Sequence, residues 1–510
     1  MSLIYSEIIK SKDNLDIPLF IDKKTMHSKY APLKEAETFA SDLKNSHSFT
    51  VILGLGGGYH IESFAKRNPD HFIVVIEKSD DDIKFLSQIE CVKNLLSNKS
   101  VSIISQDKIE NFIKENYISA FFDEINILSN RAWYDFDSEN SKKIIERINQ
   151  TIKECSGDIS VQANFGLIWQ NNIFNNLKIL SELKTQKISI DNTKTAAVIA
   201  AGPSLDKTIE KLKQNRNQYF IIATDTAFSS LAKSNITADA VLSIDGQNIS
   251  ETHFLGNKSK DTIYIFDLQA NYNAVNFVKS FTDKIIFTKS GHPFSDLAEL
   301  SQNKKIFSRL NSGGGTVTIG AIDFARLSGF KNIEVFGADF SYINSKPYVS
   351  GTYLDILYRK SDSKLKPAEN LFTNLLYRTP IEKTESGSEK IIRTQILDLY
   401  RKTFLEWIEN NGCSYKYDSF IYYISCGISN NPVSIITNQS FDYKLFIDYI
   451  NINLKAVREN STYRKTTDLA NIEIALLPLI SYLKNRNKNM AFVECLKLAN
   501  NIILGYTKVL

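Results

Sequence analysis

Short apolar runs alternate with helix-like stretches over the first 155 residues of the chain. The runs SFTVIL, HFIVVIE, SVSIIS and AFFDEINIL each end in a polar or glycine-rich turn, and helical segments separate them. Strands that alternate with helices in this way form parallel sheets. We therefore predict a Rossmann-like domain over residues 1–155.

The same alternation returns between residues 193 and 425. Six apolar runs carry it: TAAVIAA, QYFIIATD, ADAVLSID, TIYIFDL, DKIIFTK and NIEVFGAD. An amphipathic helix precedes them, so we expect a linker helix and a central domain over 156–425. Residues 426–510 show helical periodicity without glycine turns. The predicted fold class is α/β, with two Rossmann-like parallel-sheet domains joined by a helix and a small helical domain at 426–510.

Composition and charge exclude several classes of protein. The chain has 510 residues, 43% of them hydrophobic, and a formal net charge of +4 without a basic tract. A nucleic-acid-binding protein is therefore not expected. No apolar run approaches the ~18 residues of a membrane span, and charges interrupt the beginning where a signal peptide needs an apolar core. We expect a cytoplasmic protein that does not enter a membrane.

The five cysteines are odd in number and far apart in sequence. They show neither CxxC nor Cys/His spacing, which argues against a disulfide framework and against a zinc site. We expect reduced, mostly buried thiols at the positions Cys91, Cys155, Cys413, Cys426 and Cys495.

A glycine-rich loop follows the first long strand of the N-terminal domain. Gly54, Gly56, Gly57 and Gly58 end that strand, and Glu77 ends the next one. This is the outline of a dinucleotide or S-adenosylmethionine fingerprint, with the acidic group placed for a ribose. The alternative is a loop that lets a helix pack closely on the sheet, and the residues nearby supply no chemistry that decides between the two.

A second loop of interest ends the run TAAVIAA. Gly202, Pro203 and Ser204 separate that run from the helical pattern LDKTIEKLKQN. A helix start leaves backbone N–H groups unpaired and its dipole favours an anion, so the loop is typical of a phosphate site. The alternative is an ordinary turn with Ser204 as N-cap and Asp206 in the first turn.

Polar residues also follow the other strands of the central domain. Parallel sheets bind ligands beyond the carboxyl ends of their strands, and this edge is expected to contain Gly202, Pro203, Ser204, Asp225, Thr226, Asp245, Gly246, Asp267 and Asp339. We place Asp225 among the candidate cofactor-binding residues on this ground.

A further glycine cluster opens a helix later in the same domain. Ser312, Gly313 and Gly314 stand at its start, and the strand NIEVFGAD afterwards delivers Asp339 and Phe340. Two anion-ready helix starts and a carboxylate at a strand end would hold a nucleotide, with the carboxylate on a ribose or base edge and Phe340 as an apolar wall. The alternative is glycine that permits close helix–sheet packing.

These motifs resemble two families. The strand ending Gly-x-Asp-Phe and the tyrosines Tyr342 and Tyr348 are similar to those of bacterial sialyltransferases that use CMP-sialic acid. The fuller set AAGPSLD, ATDTAFSSL, ADAVLSIDGQ, SGGGTVTIGAIDFARLSGF and GADFSYINSKPYVSGTYLD resembles more closely the motility accessory factor (Maf) flagellin glycosyltransferases. The N-terminal unit and the connecting helix look similar too, so the resemblance covers most of the chain.

The resemblance implies transfer of a nonulosonic acid, pseudaminic or legionaminic acid, from its CMP derivative to serine or threonine of flagellin. It implies a donor substrate but no separate cofactor and no metal. It also implies roles at the donor, namely the phosphate or ribose for Gly202, Pro203 and Ser204, the cytidine for Ser312, Gly313 and Gly314, the nucleotide for Asp339 and Phe340, and the departing phosphate for Tyr342 and Tyr348. Ser341 adds one residue after Asp-Phe relative to that pattern.

The base that activates the acceptor hydroxyl departs from the resembling sialyltransferases. Their histidine follows Asp-Phe, whereas all six histidines here precede it: His27, His47, His60, His71, His253 and His292. A carboxylate can give the late proton acceptance that an oxocarbenium-like transition state needs. We favour Asp245 over Asp206 and Asp355, although an aspartate before glycine is also an ordinary turn residue.

Two other functions fit parts of the pattern. The central motifs are shared with archaeal 6-hydroxymethylpterin pyrophosphokinase, in which carboxylates such as Asp225, Asp245 and Asp339 would hold magnesium and ATP. A non-catalytic protein that binds and escorts flagellin is the third possibility. Separate titrations with CMP and ATP distinguish the three.

Overall fold

The computed structural model describes residues 3–40, 47–184, 188–311, 316–360, 367–386, 389–427, 439–459, 469–487 and 490–508. The chain forms two compact units, the first made of Met1–Leu167 with Ile450–Leu510 and the second of Ile168–Tyr449. Each unit contains a parallel sheet between helices, and the chain ends in helices. The predicted fold class is therefore confirmed.

The first unit is built on a short parallel sheet. The strands of the first unit are β1 Tyr5–Lys10, β2 Asp16–Phe20, β3 Ser48–Leu53, β4 Phe72–Glu77, β5 Val101–Ser105 and β6 Glu124–Ser129. Its helices begin with α1 Pro32–Phe39, α2 Tyr59–Arg67, α3 Asp80–Leu86, α4 Glu90–Leu96, α5 Ile109–Asn116 and α6 Arg131–Phe136. β1 and β2 form an antiparallel hairpin, and the other four strands lie in the order β5-β4-β3-β6. Every residue of β3 and β4 is buried, as expected for strands covered on both faces.

The second unit contains a larger sheet. Helix α7 Ser138–Glu182 leads into it. The strands of the second unit are β7 Thr195–Ile199, β8 Tyr219–Thr224, β9 Ala240–Ser243, β10 Ile263–Asp267, β11 Ile285–Lys289, β12 Ser308–Arg309, β13 Asn332–Phe336, β14 Tyr342–Ile343, β15 Glu382–Ser386, β16 Glu389–Arg393, β17 Cys413–Asp418 and β18 Ile421–Cys426. Its helices are α8 Leu205–Gln214, α9 Asp225–Lys233, α10 Tyr272–Lys279, α11 Pro293–Gln302, α12 Val317–Leu327, α13 Tyr353–Lys360, α14 Ala368–Leu376 and α15 Gln395–Asn410. The chain continues through α16 Tyr443–Glu459, α17 Asn471–Arg486 and α18 Phe492–Lys508.

The order of the strands creates a switch point in the large sheet. The order is β12-β11-β10-β9-β8-β7-β13-β18-β17, with β12 to β13 mutually parallel and β18 antiparallel to both of its neighbours. The chain extends the sheet from β7 in one direction as far as β12 and then returns to add β13 on the other side. The loops that follow β7 and β13 therefore meet where the strand order reverses, which is where open α/β sheets bind ligands.

Two β-elements of the second unit were not predicted from the sequence. A small antiparallel sheet has the order β14-β16-β15, and the hairpin of β17 and β18 extends the large sheet. The register of that hairpin places Cys413 opposite Cys426, and the structure joins them in a disulfide across a Cα–Cα distance of 4.3 Å. The expectation of a thiol is thus wrong for these two cysteines, since pairing of the strands brings together residues whose spacing follows no motif. Cys91 and Cys495 remain thiols.

The C-terminal helices lie in the same compact unit as the N-terminal sheet, which differs from the separate domain expected at 426–510. Lys484 of α17 donates to Asp123 Oδ1 at 2.8 Å, just before β6. Gly166 of α7 faces the middle of α17, where a Cβ atom would lie 2.1 Å from the carbonyl oxygen of Pro478. Within the described ranges, no helix is apolar over a length that would cross a membrane.

Candidate functional site

The loop after β7 is held by the end of β13. The Gly202 amide donates to the Gly337 carbonyl at 2.8 Å, and the Ser204 amide donates to Asp339 Oδ2 at 2.8 Å. A Cβ atom at position 202 would lie 2.3 Å from the Gly337 oxygen, so glycine is required by this close approach. Ser204 directly precedes α8, and the Asp339 carboxylate accepts its amide. The start of α8 therefore already has a carboxylate as its partner.

The segment that follows β13 is partly buried, and Phe340 in it is strained. Burial raises the pKa of Asp339, while its hydrogen bonds from Ser204 act in the opposite direction. Phe340 has a φ of 47°, a left-handed conformation that is rare for a bulky residue and costs about 1–3 kcal/mol. Its ring lies 5.1 Å from that of Phe404, measured between centroids. Packing against α15 therefore fixes the direction in which this segment leaves the sheet.

Asp225 is engaged by its own surroundings at the end of β8. Its Oδ2 accepts a hydrogen bond of 2.6 Å from Ser243, and its Oδ1 accepts from the Thr226 amide at 2.7 Å. Its side chain is buried at the first turn of α9. These contacts join the ends of β8 and β9, and the cofactor-binding role of Asp225 stays a prediction.

Asp245 forms a turn after β9. Its Oδ1 accepts from the Gln247 amide at 2.9 Å, and its carbonyl accepts from the Asn271 amide at 3.0 Å. Asn172 of α7 supports this turn by donating to the carbonyls of Gly246 and Gln269 at 3.0 and 2.9 Å. The loops after β9 and β10 are thereby fixed to one helix.

The two predicted tyrosines lie within electrostatic range of Arg378 and Tyr400, and these four residues are called the tyrosine cluster below. Burial raises the pKa of Tyr342, and the Arg378 guanidinium opposes that shift. Tyr348 keeps 37% of its surface exposed, yet the burial of its hydroxyl raises its pKa to about 12. Tyr400 of α15 interacts electrostatically with both tyrosines. The hydroxyls stay protonated at neutral pH and remain hydrogen-bond donors.

Tyr353 connects this cluster to the strand ends. Burial raises its pKa, and the carboxylates of Asp245 and Asp225 add to the shift. The ring of the buried His253 packs edge-on against the Tyr353 ring at 4.6 Å between centroids. The structure thus brings Tyr342, Tyr348, Asp225 and Asp245 into one region, and Tyr353 is the residue between them.

Sequence reasoning missed Tyr353, Arg378, Tyr400 and His253. Tyr353 stands in the segment GTYLD, shortly after Tyr348, whereas Arg378 and Tyr400 belong to no motif. His253 lies in the connection between β9 and β10, before Asp339 in sequence. Chain order excluded it from consideration, and only the fold shows that it packs against this cluster.

Ser312, Gly313 and Gly314 fall outside the described residues. The described flanks agree with a helix start, since α12 begins at Val317 and the Thr316 hydroxyl accepts the Thr318 amide at 3.3 Å. The amide of Asn311 donates to Asp323 Oδ2 at 2.9 Å. The roles of the three loop residues stay predictions.

The other two candidate bases are held in ion pairs. Asp206 accepts from Ser350 at 3.1 Å and pairs with Lys346, which ties the segment after β14 to α8. Asp355 accepts from the Gly351 amide at 2.8 Å and from Arg359 at 2.7 Å. Both carboxylates therefore have a structural use.

No group of three or more His, Cys, Asp or Glu side chains in the described ranges is arranged to hold a metal ion. Both oxygens of Asp225 accept protein hydrogen bonds, as does one oxygen each of Asp245 and Asp339. These three carboxylates do not form a ligand set by themselves.

A cavity of about 520 Å³ opens beside Asp339. Its lining is Lys207, Asp339, Phe340, Ser341, Ile343, Glu389, Ile391, Arg393, Arg401, Tyr417, Phe420 and Tyr422. The volume lies within the usual range for small-molecule sites.

The glycine loop of the first unit is filled by protein. Glu77 is fully buried and accepts from Leu55 N, Lys78 N, Tyr5 OH and Trp133 Nε1 at 2.7–3.0 Å. Met26, His27 and Trp133 pack against the loop, and a Cβ atom at Gly56 would lie 2.5 Å from Met26. The geometry supports the packing alternative, because the acidic residue expected on a ribose has its acceptors occupied.

The comparisons with known proteins agree with this fold. Residues 170–345 match the model of the MptE-like family, described as 6-hydroxymethylpterin diphosphokinase MptE-like. The structure is similar to that of a MAf glycosyltransferase from Magnetospirillum magneticum AMB-1, with a TM-score of 0.51 and 12% identity over 99% of this chain and 86% of that one. The resemblance inferred from the sequence is thereby confirmed at the level of the fold.

Two sequence relatives come from Treponema pallidum (strain Nichols). One uncharacterized protein is 29% identical over 245 residues, which are 48% of this chain and 76% of its own length. Another uncharacterized protein is 40% identical over 127 residues, which are 24% of this chain and 60% of its own length.

Proposed function

We propose that this protein is a flagellin glycosyltransferase that transfers a nonulosonic acid, pseudaminic or legionaminic acid, from its CMP derivative to serine or threonine hydroxyls. The observation that carries the proposal is the likeness in fold to a MAf glycosyltransferase over 99% of the chain. The tyrosine cluster at the edge of the sheet supplies chemistry that suits such a transfer.

The cluster suits a leaving phosphate. In the reaction the acceptor oxygen bonds to the anomeric carbon as the bond from that carbon to the CMP phosphate oxygen breaks. Negative charge then grows on the phosphate, and protonated hydroxyls held beside a guanidinium stabilise it without rearranging. Tyr342, Tyr348 and Arg378 provide such groups.

The acceptor proton goes to a base at the end of β9. Asp245 stays our first candidate because it lies close enough to Tyr353 to raise the pKa of that residue. Its Oδ1 accepts the Gln247 amide, so we assign proton acceptance to Oδ2. Replacement by asparagine keeps the turn and removes the basicity.

The test compares flagellin from cells that carry wild-type or variant protein, by mass spectrometry of the intact chain. We expect the sugar mass to vanish on deletion, and Tyr342→Phe with Tyr348→Phe to lower transfer by on the order of 10²-fold. Asp245→Asn should cause a similar loss while CMP affinity is kept. The matched control is Tyr30→Phe, at a residue of the first unit that is 73% exposed. Unchanged flagellin mass on deletion would refute the transfer.

A second candidate function follows from the family model over residues 170–345. A pterin diphosphokinase-like enzyme would bind ATP with magnesium rather than CMP. Calorimetric titration of each nucleotide decides between them, since tight ATP binding that requires magnesium favours the kinase. Binding of flagellin without any effect of either nucleotide favours an escort protein.

A further inference from the structure

We propose that the cavity beside Asp339 is a second ligand site, separate from the tyrosine cluster, for a small ring compound that carries one phosphate or carboxylate group. The inference goes beyond the proposed function, and the cavity shares with it Asp339 and Phe340, which the resemblance assigns to the nucleotide of the donor. It rests on the position of the cavity, on its charge and on its aromatic walls.

The small sheet separates the cavity from the tyrosine cluster. Side chains alternate between the two faces of a strand, and residues directly opposite in a pair share a face. Ile343 pairs with Ile391, and both residues line the cavity. The adjacent pair in the register is Tyr342 with Ile392. Tyr342 therefore points to the opposite face of the sheet, and a ligand in the cavity does not occupy the proposed transfer centre.

The charges around the cavity favour an anion. Lys207 forms an ion pair with Glu389, and the Asp339 carboxylate accepts the Ser204 amide. Arg393 and Arg401 line the same cavity and make no ion pair with a carboxylate in the described part of the chain. Arg401 also hydrogen-bonds the Tyr422 hydroxyl. Each planar guanidinium group can donate two parallel hydrogen bonds to two oxygens of a phosphate or carboxylate.

The aromatic side chains favour a ring. Lys207 Nζ lies 4.4 Å from the centre of the Phe420 ring, and the Tyr417 and Tyr422 rings are 4.5 Å apart. Phe420 has a φ of 66°, so the hairpin between β17 and β18 holds this large side chain in a conformation that such residues avoid. The cavity volume of about 520 Å³ accommodates a ring with its anionic group.

The binding test uses four probes by calorimetry on the full chain: CMP, N-acetylneuraminic acid, cytidine and inorganic phosphate. CMP is a ring compound that carries a phosphate, and N-acetylneuraminic acid is a ring compound that carries a carboxylate. Cytidine has a ring without the anion, and phosphate an anion without the ring. We expect CMP or N-acetylneuraminic acid to bind the wild-type chain, and cytidine and phosphate to bind on the order of tenfold more weakly. The proposal is overturned if neither CMP nor N-acetylneuraminic acid binds.

Variants of the cavity complete the test. Arg393→Gln/Arg401→Gln should weaken binding by on the order of tenfold or more, and Arg393→Lys/Arg401→Lys should restore part of it. Lys402→Gln, at an exposed neighbour on α15, is the matched control and should bind as wild type. Wild-type affinity in the glutamine variant would overturn the proposal.

Hydrogen exchange gives a readout that needs no variant. Bound probe should slow amide exchange in residues 389–393 and 415–422, while exchange of the segment 348–353 stays unchanged. Protection confined to 348–353 would place the probe at the tyrosine cluster and overturn the separate site. Flagellin modification is measured independently, so loss of transfer and loss of this binding are distinguishable.

Discussion

The two strand-end loops of this protein have the same construction and different surroundings. In the first unit, Glu77 from the neighbouring strand accepts the amide of Leu55, and in the second unit, Asp339 accepts the amide of Ser204. Around Glu77 the indole of Trp133 and the hydroxyl of Tyr5 fill the remaining acceptor positions. Beside Asp339 a cavity opens instead. A carboxylate at a strand end therefore indicates a ligand site only where the protein leaves space next to it.

Removal of the buried carboxylate of the first loop should have the largest effect. Glu77→Ala leaves four donors without an acceptor, three of them buried, and we expect a loss of about 3–5 kcal/mol in the free energy of unfolding. Chemical denaturation followed by tryptophan fluorescence measures this loss. Glu115→Ala, on the exposed side of α5, is the control. If Glu77→Ala were as stable as the control, the loop would not depend on its internal carboxylate.

Acid should also weaken the first loop. Burial lowers the pKa of His60 to about 4, and its Nε2 lies 3.0 Å from the Gly54 carbonyl. The His60 imidazole binds a proton near pH 6.5 in the unfolded chain and near pH 4 in the folded chain. The stability that the neutral imidazole contributes to the folded state is therefore complete above pH 6.5 and is lost as the pH falls through 4. The total is about 3 kcal/mol. Denaturation midpoints between pH 7 and 4 should fall less steeply in His60→Gln than in wild type.

Glycine substitutions compare the two loops directly. Gly202→Ala places a methyl group against Gly337 and Asp339, which should shift the strand-end segment and weaken CMP binding by on the order of tenfold. Gly56→Ala, at a φ of 52°, should destabilise the first unit while CMP affinity stays at the wild-type value. Calorimetry with CMP on both folded variants decides this. Reduced CMP affinity in well-folded Gly56→Ala would show that the loop of the first unit also affects nucleotide binding.

The smallest expected effect is that of metal removal. If hydroxyls and a guanidinium stabilise the departing monophosphate, EDTA should leave the rate of transfer within about twofold of its value without chelator. The measurement is flagellin modification with EDTA and after addition of excess magnesium. Loss of transfer that magnesium restores would favour the pterin diphosphokinase-like alternative.

The sequence by itself determined the two parallel sheets, because buried strands need continuous apolar runs and the turns after them need glycine or polar residues. It also located the strand ends at Gly202 and Asp339, since a glycine that approaches another backbone closely has no substitute. These features are local, and periodicity over a few residues records them.

The tertiary structure alone decided which strand-end residues are available to a ligand. Glu77 has the sequence context of a binding residue, yet the Tyr5 hydroxyl, the Trp133 indole and two backbone amides occupy its oxygens. Arg378 comes near Tyr353 only because the chain returns to this region. Cys413 meets Cys426 only because β17 pairs with β18. Contacts between residues far apart in the chain leave no local pattern, because each partner is chosen by the packing of the whole unit rather than by its neighbours in sequence.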